Sequence, residues 1–483
     1  MNKYKTLANN TIVLAIGQFS SKFLVYFMLK FYTSMLGTEG YGDVSNIQNA
    51  SILLIAVVTL SINEGVLRYA LDKDNDRPMV LSIGINVALV GLVIFAAFVP
   101  LIGFIPMLKG YEWLIFMYVC TGSIKGICAI YVRASGHVRL YAIDGIITTI
   151  TMILLNLLFL GVFHLGVTGY ILAISFADIF SIAFLCWKAG LHKQYKPIKQ
   201  DKQMRLTMLK YSIPLMPTTV MWWIINVSDT FMVTAFFGSG ANGIYSFAYK
   251  FPNLAAIVVG IFSQAWHMSA ITERNSRTIS NFYSNVFSLM QTVMFLAAAG
   301  IMLILRPMIM PFFGSDEFVS AYFYVPTLLL AVVFQSFNNF LSSIYEASNK
   351  TTHSLISSAI GAVINIVLNL ILLPTIGIIG AAIATLASYV AVFVYRVIDT
   401  NKLLYMDIKW RKIAINLALL VLMSCSVMFL EYGLVQNFLN ALLFLILTAI
   451  NFKSLIEALK LFISKRTARA GDKTANKPAA KRK

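Results

Sequence analysis

The sequence predicts an all-α polytopic membrane protein of about fourteen transmembrane helices. Three observations lead there: the composition, a train of long apolar runs and the one-sided placement of the basic residues. Of 483 residues, 59% are hydrophobic and 12% charged, with a mean hydropathy of +0.78. A soluble globular chain carries about 25% charged residues, so water is not this chain's main solvent. A helix needs roughly 20 apolar residues to cross the hydrocarbon core, and runs of that kind follow one another from Asn10 to Ile463. The runs are continuous rather than alternating in period two, which argues for helices and against an outer-membrane barrel.

In chain order, the breaks in hydropathy place spans at 10–36, 44–71, 78–104, 112–132, 141–163, 166–187, 211–237, 242–270, 279–304, 317–345, 352–373, 377–395, 413–430 and 437–462. The first run is too long for the apolar region of a signal peptide and contains Lys22 and Lys30, so it is expected to be a retained helix. Lys and Arg gather near span ends on the cytoplasmic side. With the N-terminus inside, 31 of the 38 Lys and Arg residues are cytoplasmic; Lys109 and Arg306 alone are outside, and Lys22, Lys30, Arg68, Lys125 and Lys250 lie within spans. One missed helix would scramble the alternation downstream. An even helix count and both termini in the cytoplasm are the expectations.

The longest polar connection, Lys188 to Lys210, holds seven basic residues and reads as a linker between two halves. The expected organisation is a six-helix lobe at 1–190, a basic cytoplasmic linker at 191–210, a second six-helix lobe at 211–400, two added helices at 401–463 and a basic disordered tail at 464–483. The halves repeat. Gly37, Gly42 and Ser45 recur as Gly238, Gly243 and Ser246, 201 residues later. Ala134-Ser135 and Leu155-Asn156 recur as Ala347-Ser348 and Leu368-Asn369 at an offset of 213, and Gly166 and Gly169 as Gly377 and Gly380 at 211. Six helices separate equivalent points, so the repeats share an orientation and are related by a pseudo-two-fold axis along the membrane normal. Two such bundles around a midplane cavity form a transporter arrangement. The four cysteines, Cys120, Cys128, Cys186 and Cys425, all fall in apolar segments without a CxxC or Cys/His pattern and are expected to be reduced packing residues.

A charge near the bilayer centre costs about 2.5–3.5 kcal/mol on insertion scales, so cations at depth are expected to face protein or a wet cavity. Lys22 has Gln18 and Tyr26 one turn away on either side; Lys125 follows Gly122 and Ser123; Lys250 follows Tyr245 and Tyr249. Structural ion pairs are the competing reading. Arg68 has Glu64 one turn earlier. Lys250 and Asp229 are about equally far from the turn near Gly240, at matching depth on adjacent helices. Lys30 is near enough to the interface to snorkel. Lys22 and Lys125 show no local acid. Asp178, alone in the sixth span, is a candidate for a coupling ion or proton, or for pairing with a lysine. More cations than acids at depth points to an anion such as phosphate or pyrophosphate. Pro214, Pro217 and Pro252 bracket the seventh and eighth spans as candidate flexing points. HExxH, P-loop and Ser-His-Asp patterns are absent. A transporter without enzymatic activity, cofactor, metal site or nucleic-acid partner is expected.

The stretch "YSIPLMPTTVMWWIINVSDTFMVTAFFGSGANGIYSFAYKFP", Tyr211 to Pro252, resembles the seventh and eighth helices of bacterial polysaccharide flippases of the Wzx type, within the exporter superfamily that also holds multidrug antiporters and lipid II flippases. The matching elements are Pro214 and Pro217, Asp229, Gly238, Gly243 to Ser246, and Ala248 to Lys250, with looser similarity over about residues 1 to 460 that includes "EGVLRYA" from Glu64. The resemblance implies two six-helix lobes in a V shape plus two added helices. It implies movement of an undecaprenyl-diphosphate-linked oligosaccharide from the inner to the outer leaflet by alternating access, driven by Na+ or H+. Lys22, Lys125, Lys250 and Arg68 would form the cationic substrate cavity, and Asp178, Asp229 and Glu64 would couple an ion or pair charges. Membrane lipids, a polysaccharide polymerase and other biosynthesis proteins are the implied partners. The rival expectation is a cation-coupled antiporter for small cationic compounds.

Overall fold

The computed structural model describes residues 24, 26–72, 74–196, 201–257, 260, 279–312, 316–348, 350–452 and 456. Lys22, most of the first span, the end of the eighth span and the basic tail lie outside these residues. The described residues are mostly helical, with no strand among them. The principal helices are α1 (Leu29–Val58), α2 (Ile62–Leu71), α3 (Arg77–Ile102), α4 (Glu112–Ala134), α5 (Val138–Asn156), α6 (Gly166–Lys188), α7 (Lys202–Ser212), α8 (Met216–Ala248), α9 (Ile279–Phe312), α10 (Val325–Ala347), α11 (Thr351–Ile376), α12 (Ile379–Asn401), α13 (Trp410–Phe429) and α14 (Leu434–Phe452).

Eleven described helices are long and apolar enough to cross a membrane, or twelve if the pair α1 and α2, bent by 61°, is one span. Helix is present at each of the fourteen positions read from hydropathy, because two helical runs each carry parts of two spans. The run Lys202–Ile257 is broken at Gly238 (φ 84°, ψ 172°), and α1 is broken at Gly37 (φ 63°, ψ −175°). Only glycine adopts that backbone freely, so the repeated glycine placed at each turn is what permits the turn. A second kind of break lies inside the second span. Leu60 and Ser61 both have left-handed backbone, φ 53° and 51°, which costs about 1–2 kcal/mol per non-glycine residue. The amide of Ser61 bonds to Ala56 O at 2.8 Å and the Thr59 hydroxyl to Ile55 O at 2.7 Å, so few polar groups are stranded there.

The chain forms two compact units. The first comprises Met1–Lys250, Ile309–Leu328 and Thr351–Val392. Among the described residues its core includes two apolar clusters: one joins Ile62, Val66, Leu81 and Ile127 to Met208 of α7, and the other joins Ile47, Leu92, Val99, Val119 and Ile171. Val90, Val93 and Phe98 are 61%, 75% and 53% exposed on α3, as expected where lipid replaces water. The second unit comprises Phe251–Met308, Leu329–Lys350 and Phe393–Lys483. Its core is aromatic, with Phe337 packed on Phe287, Phe295, Phe334 and Phe393. Two buried arginines satisfy backbone there: Arg396 donates to Asn338 O at 2.7 Å and Arg306 to Leu430 O at 2.7 Å. Arg306, read from sequence as an outer-loop cation, is thus buried at the C-terminus of α13.

The internal repeat is physical. Asn156 and Asn369, 213 residues apart, each donate to the carbonyl four residues back, at 2.8 and 3.0 Å. A Cβ on Gly169 would meet Phe159 O at 3.3 Å, and one on Gly380 would meet Leu372 O at 2.6 Å, so both glycines let their helix close on the preceding one.

Candidate functional site

The first element of each repeat meets the other. α1 and α8 cross where Gly42 and Gly243 face each other's chain: a Cβ on Gly42 would stand 1.9 Å from Ser239 O, and one on Gly243 would stand 1.9 Å from Thr38 O. Ser239 and Thr38 are themselves 201 residues apart, so the contact is reciprocal, as at a two-fold interface. Small residues let helices approach closely in a membrane, and polar side chains then bond across them. Ser45 Oγ lies 2.7 Å from Ser246 Oγ. Asn242 donates to Asn46 Oδ1 at 2.8 Å and to Gly42 O at 3.2 Å, Asn46 to Thr234 Oγ1 at 3.0 Å, and Trp223 Nε1 to Asn49 O at 2.8 Å. The seam is held by small residues and neutral hydrogen bonds, each worth about 0.5–1.5 kcal/mol net.

Farther along α8 is Asp229, fully buried. Its Oδ2 accepts from Tyr245 at 2.8 Å, Tyr249 at 2.9 Å and Thr385 at 2.7 Å. Its Oδ1 has no hydrogen-bond partner among the described residues. Asn365 adjoins, accepting from Ser228 at 3.0 Å and donating to Thr385 Oγ1 at 3.3 Å. A buried carboxylate oxygen left bare is costly; it suits a site that takes up a proton or a small cation. The sequence offered Lys250 as a candidate partner for Asp229. The structure does not: among the described residues no ion pair joins them, and Asp229 is held by hydroxyls instead. Thr385 and Asn365 went unnoticed in the sequence because single Thr and Asn residues in apolar helices carry no distinctive pattern.

The predicted cations have separate neighbours. Lys125 Nζ lies 3.4 Å from Asp178 Oδ1, joining the fourth and sixth spans, so the lysine read as lacking an acid has one. Nearby on α6, Ser181 donates to Asp144 at 2.7 Å. Lys250 Nζ lies 5.9 Å from the centre of the Tyr41 ring, and its carbonyl accepts from the Tyr26 hydroxyl. Arg68 is not paired with Glu64 among the described residues; its guanidinium lies over the Tyr211 ring at 4.5 Å. Both Glu64 and Arg68 are exposed, where an i,i+4 pair gains little and an aromatic face competes with it. Lys22 lies outside the described residues. Pro214 sits in a short turn of 3-10 helix and Pro217 in the first turn of α8, a position where a missing amide costs nothing.

The fold has known counterparts. A lipid II flippase MurJ in an inward closed conformation superposes with a TM-score of 0.67 at 18% identity, covering 92% of this chain and all of that one. An inward-facing multidrug resistance MATE family transporter of the MOP superfamily gives a TM-score of 0.63 at 15% identity, over 80% of this chain and 98% of that one. An uncharacterised membrane protein of Methanocaldococcus jannaschii is 21% identical over 414 residues, 80% of this chain and 96% of its own length. Residues 324–449 match the lipid II flippase MurJ family. The structural likenesses establish the fold, an all-helical membrane fold like that of the lipid II flippase MurJ and the MATE family transporter. The chain belongs to the polysaccharide biosynthesis protein family, which it matches over residues 7–267, more than half its length.

Proposed function

We propose that this protein is a flippase that carries an undecaprenyl-diphosphate-linked oligosaccharide from the inner to the outer leaflet of the cytoplasmic membrane, with both termini in the cytoplasm and no catalytic step. The observation that carries the proposal is the reciprocal crossing at Gly42 and Gly243, closed by Ser45 and Ser246. A contact between two equivalent repeats, made of small residues and neutral hydrogen bonds, can open and reform at modest cost. Alternating access needs such a closure, here on the outer side. Membership of the polysaccharide biosynthesis family supports the saccharide cargo, and Lys22, Lys125, Lys250 and Arg68 supply cations for a diphosphate. Asp229, with its bare Oδ1, is the coupling carboxylate for Na+ or H+. A polymerase that consumes the flipped saccharide would be the downstream partner.

The rival reading, a cation-coupled antiporter for small cationic compounds, is favoured by the same buried carboxylate and by the MATE likeness. A leaflet-resolved assay in proteoliposomes separates the two. The flippase moves a lipid-diphosphate oligosaccharide to the opposite leaflet under an imposed ion gradient. Export of cationic dyes with the lipid-linked sugar left in its starting leaflet would replace this reading with the antiporter.

A further inference from the structure

We propose that the groove between α1, α3 and α7 binds an anionic phospholipid, its phosphate at Arg205 and its chains along α3. The groove has a volume of about 960 Å³, near the upper end of the roughly 300–1,000 Å³ typical of ligand sites. Its walls are aliphatic and aromatic, including Val58, Val90, Ile94 and Phe98, while Asn86 and Arg205 form its polar end. The concavity is built into the backbone. Gly91 lets α3 close on the end of α1, since a Cβ there would stand 2.0 Å from Val58 O, and the Leu60–Ser61 break then turns α2 away by 61°.

The polar end lies at the level of the linker. The Tyr195 hydroxyl donates to Asn86 Oδ1 at 2.6 Å and the Lys196 amide to Ser82 Oγ at 2.8 Å, so Tyr195 and Lys196 of the linker lie against α3 there. From Asn86 to Phe98 a helix rises about 18 Å, close to the ~15 Å depth of one leaflet's hydrocarbon. Among the described residues Arg205 makes no ion pair, and Lys202 and Lys210 are exposed on the same helix. An unpaired guanidinium at the interfacial end of an apolar groove is complementary to a lipid phosphate, and basic segments at this depth attract anionic headgroups. A single arginine above acyl-sized walls fits a phospholipid better than a saccharide carrier with its bulky headgroup. The proposal is independent of which substrate the protein moves.

Native mass spectrometry of the full chain in detergent, titrated with phosphatidylglycerol and with phosphatidylcholine of the same acyl chains, tests it. Wild type is expected to hold phosphatidylglycerol about five-fold more tightly. Arg205→Gln should abolish that preference, weakening phosphatidylglycerol more than phosphatidylcholine, whose choline already offsets its phosphate charge. Lys210→Gln, on the same helix but outside the groove, should leave the preference intact, and Val90→Trp, which fills the groove, should weaken both lipids. No headgroup preference in wild type would overturn the proposal. So would an equal loss from Lys210→Gln, which would mean diffuse attraction. Displacement of phosphatidylglycerol by a polyprenyl diphosphate would assign the groove to the substrate's tail instead.

Discussion

Ser45 and Ser246, equivalent residues of the two repeats, touch through their hydroxyls at 2.7 Å. Because the hydroxyls face each other, cysteines in their places bring two sulfurs together. Ser45→Cys/Ser246→Cys is expected to form a disulfide under mild oxidation and to reduce transport below about a tenth of wild type, with recovery on reduction, since a covalent tie forbids the crossing to part. Proteolysis at a site introduced in the linker, followed by non-reducing electrophoresis, reports the bond. A crosslinked protein that still transports at the wild-type rate removes this contact from the cycle.

Gly42→Ala and Gly243→Ala each place a methyl 1.9 Å from a backbone oxygen of the other repeat. Each should lower stability by at least the roughly 1–3 kcal/mol of an overpacked core. Gly300→Ala, whose nearest neighbour would be 3.8 Å away, should be neutral or stabilising, because alanine favours helix by about 1 kcal/mol. Thermal unfolding in detergent ranks the three. Equal melting temperatures would mean that the crossing is looser than the geometry says.

For Lys125 and Asp178, 3.4 Å apart, loss of one partner leaves the other unmatched. Lys125→Ala is expected to destabilise by about 1–3 kcal/mol, and Lys125→Ala/Asp178→Asn by less. If transport also returns in the double variant, the pair is structural. If stability returns and transport does not, the pair takes part in transport, and Asp178→Asn alone then shows whether the acid or Lys125 is the member required.

At Asp229, Asn keeps an oxygen to accept from Tyr245, Tyr249 and Thr385 but removes the charge. Asp229→Asn should therefore melt close to wild type and lose the acceleration that an imposed sodium or proton gradient gives. Gradient-driven transport retained in full would place coupling elsewhere.

The helices and the repeat were legible because both depend on regular spacing. A run of apolar residues reports a span wherever it occurs, and Gly37/Gly238 and Gly42/Gly243 announced themselves at one offset. Partners across helices were harder. Matching depth suggested Lys250 for Asp229, but depth says nothing about rotation, and the side of α8 that carries Asp229 faces Tyr245, Tyr249 and Thr385. Glu64 and Arg68 have helix-pair spacing, yet Tyr211, 143 positions away from Arg68 in the chain, offers the arginine an aromatic face. Asp178 was readable as a solitary acid; that Lys125 is its neighbour depends on how the fourth and sixth spans pack.

Two copies of a repeat can ordinarily drift apart one residue at a time, each half answering only to its own surroundings. At the crossing of Gly42 and Gly243 that freedom is gone, because the surroundings of each copy are the other copy. A side chain gained by either glycine meets the backbone of the opposite half, and no change of side chain there can make room for it. The ancestral likeness of the two halves should therefore persist longest at this point, after the apolar faces around it have been rewritten.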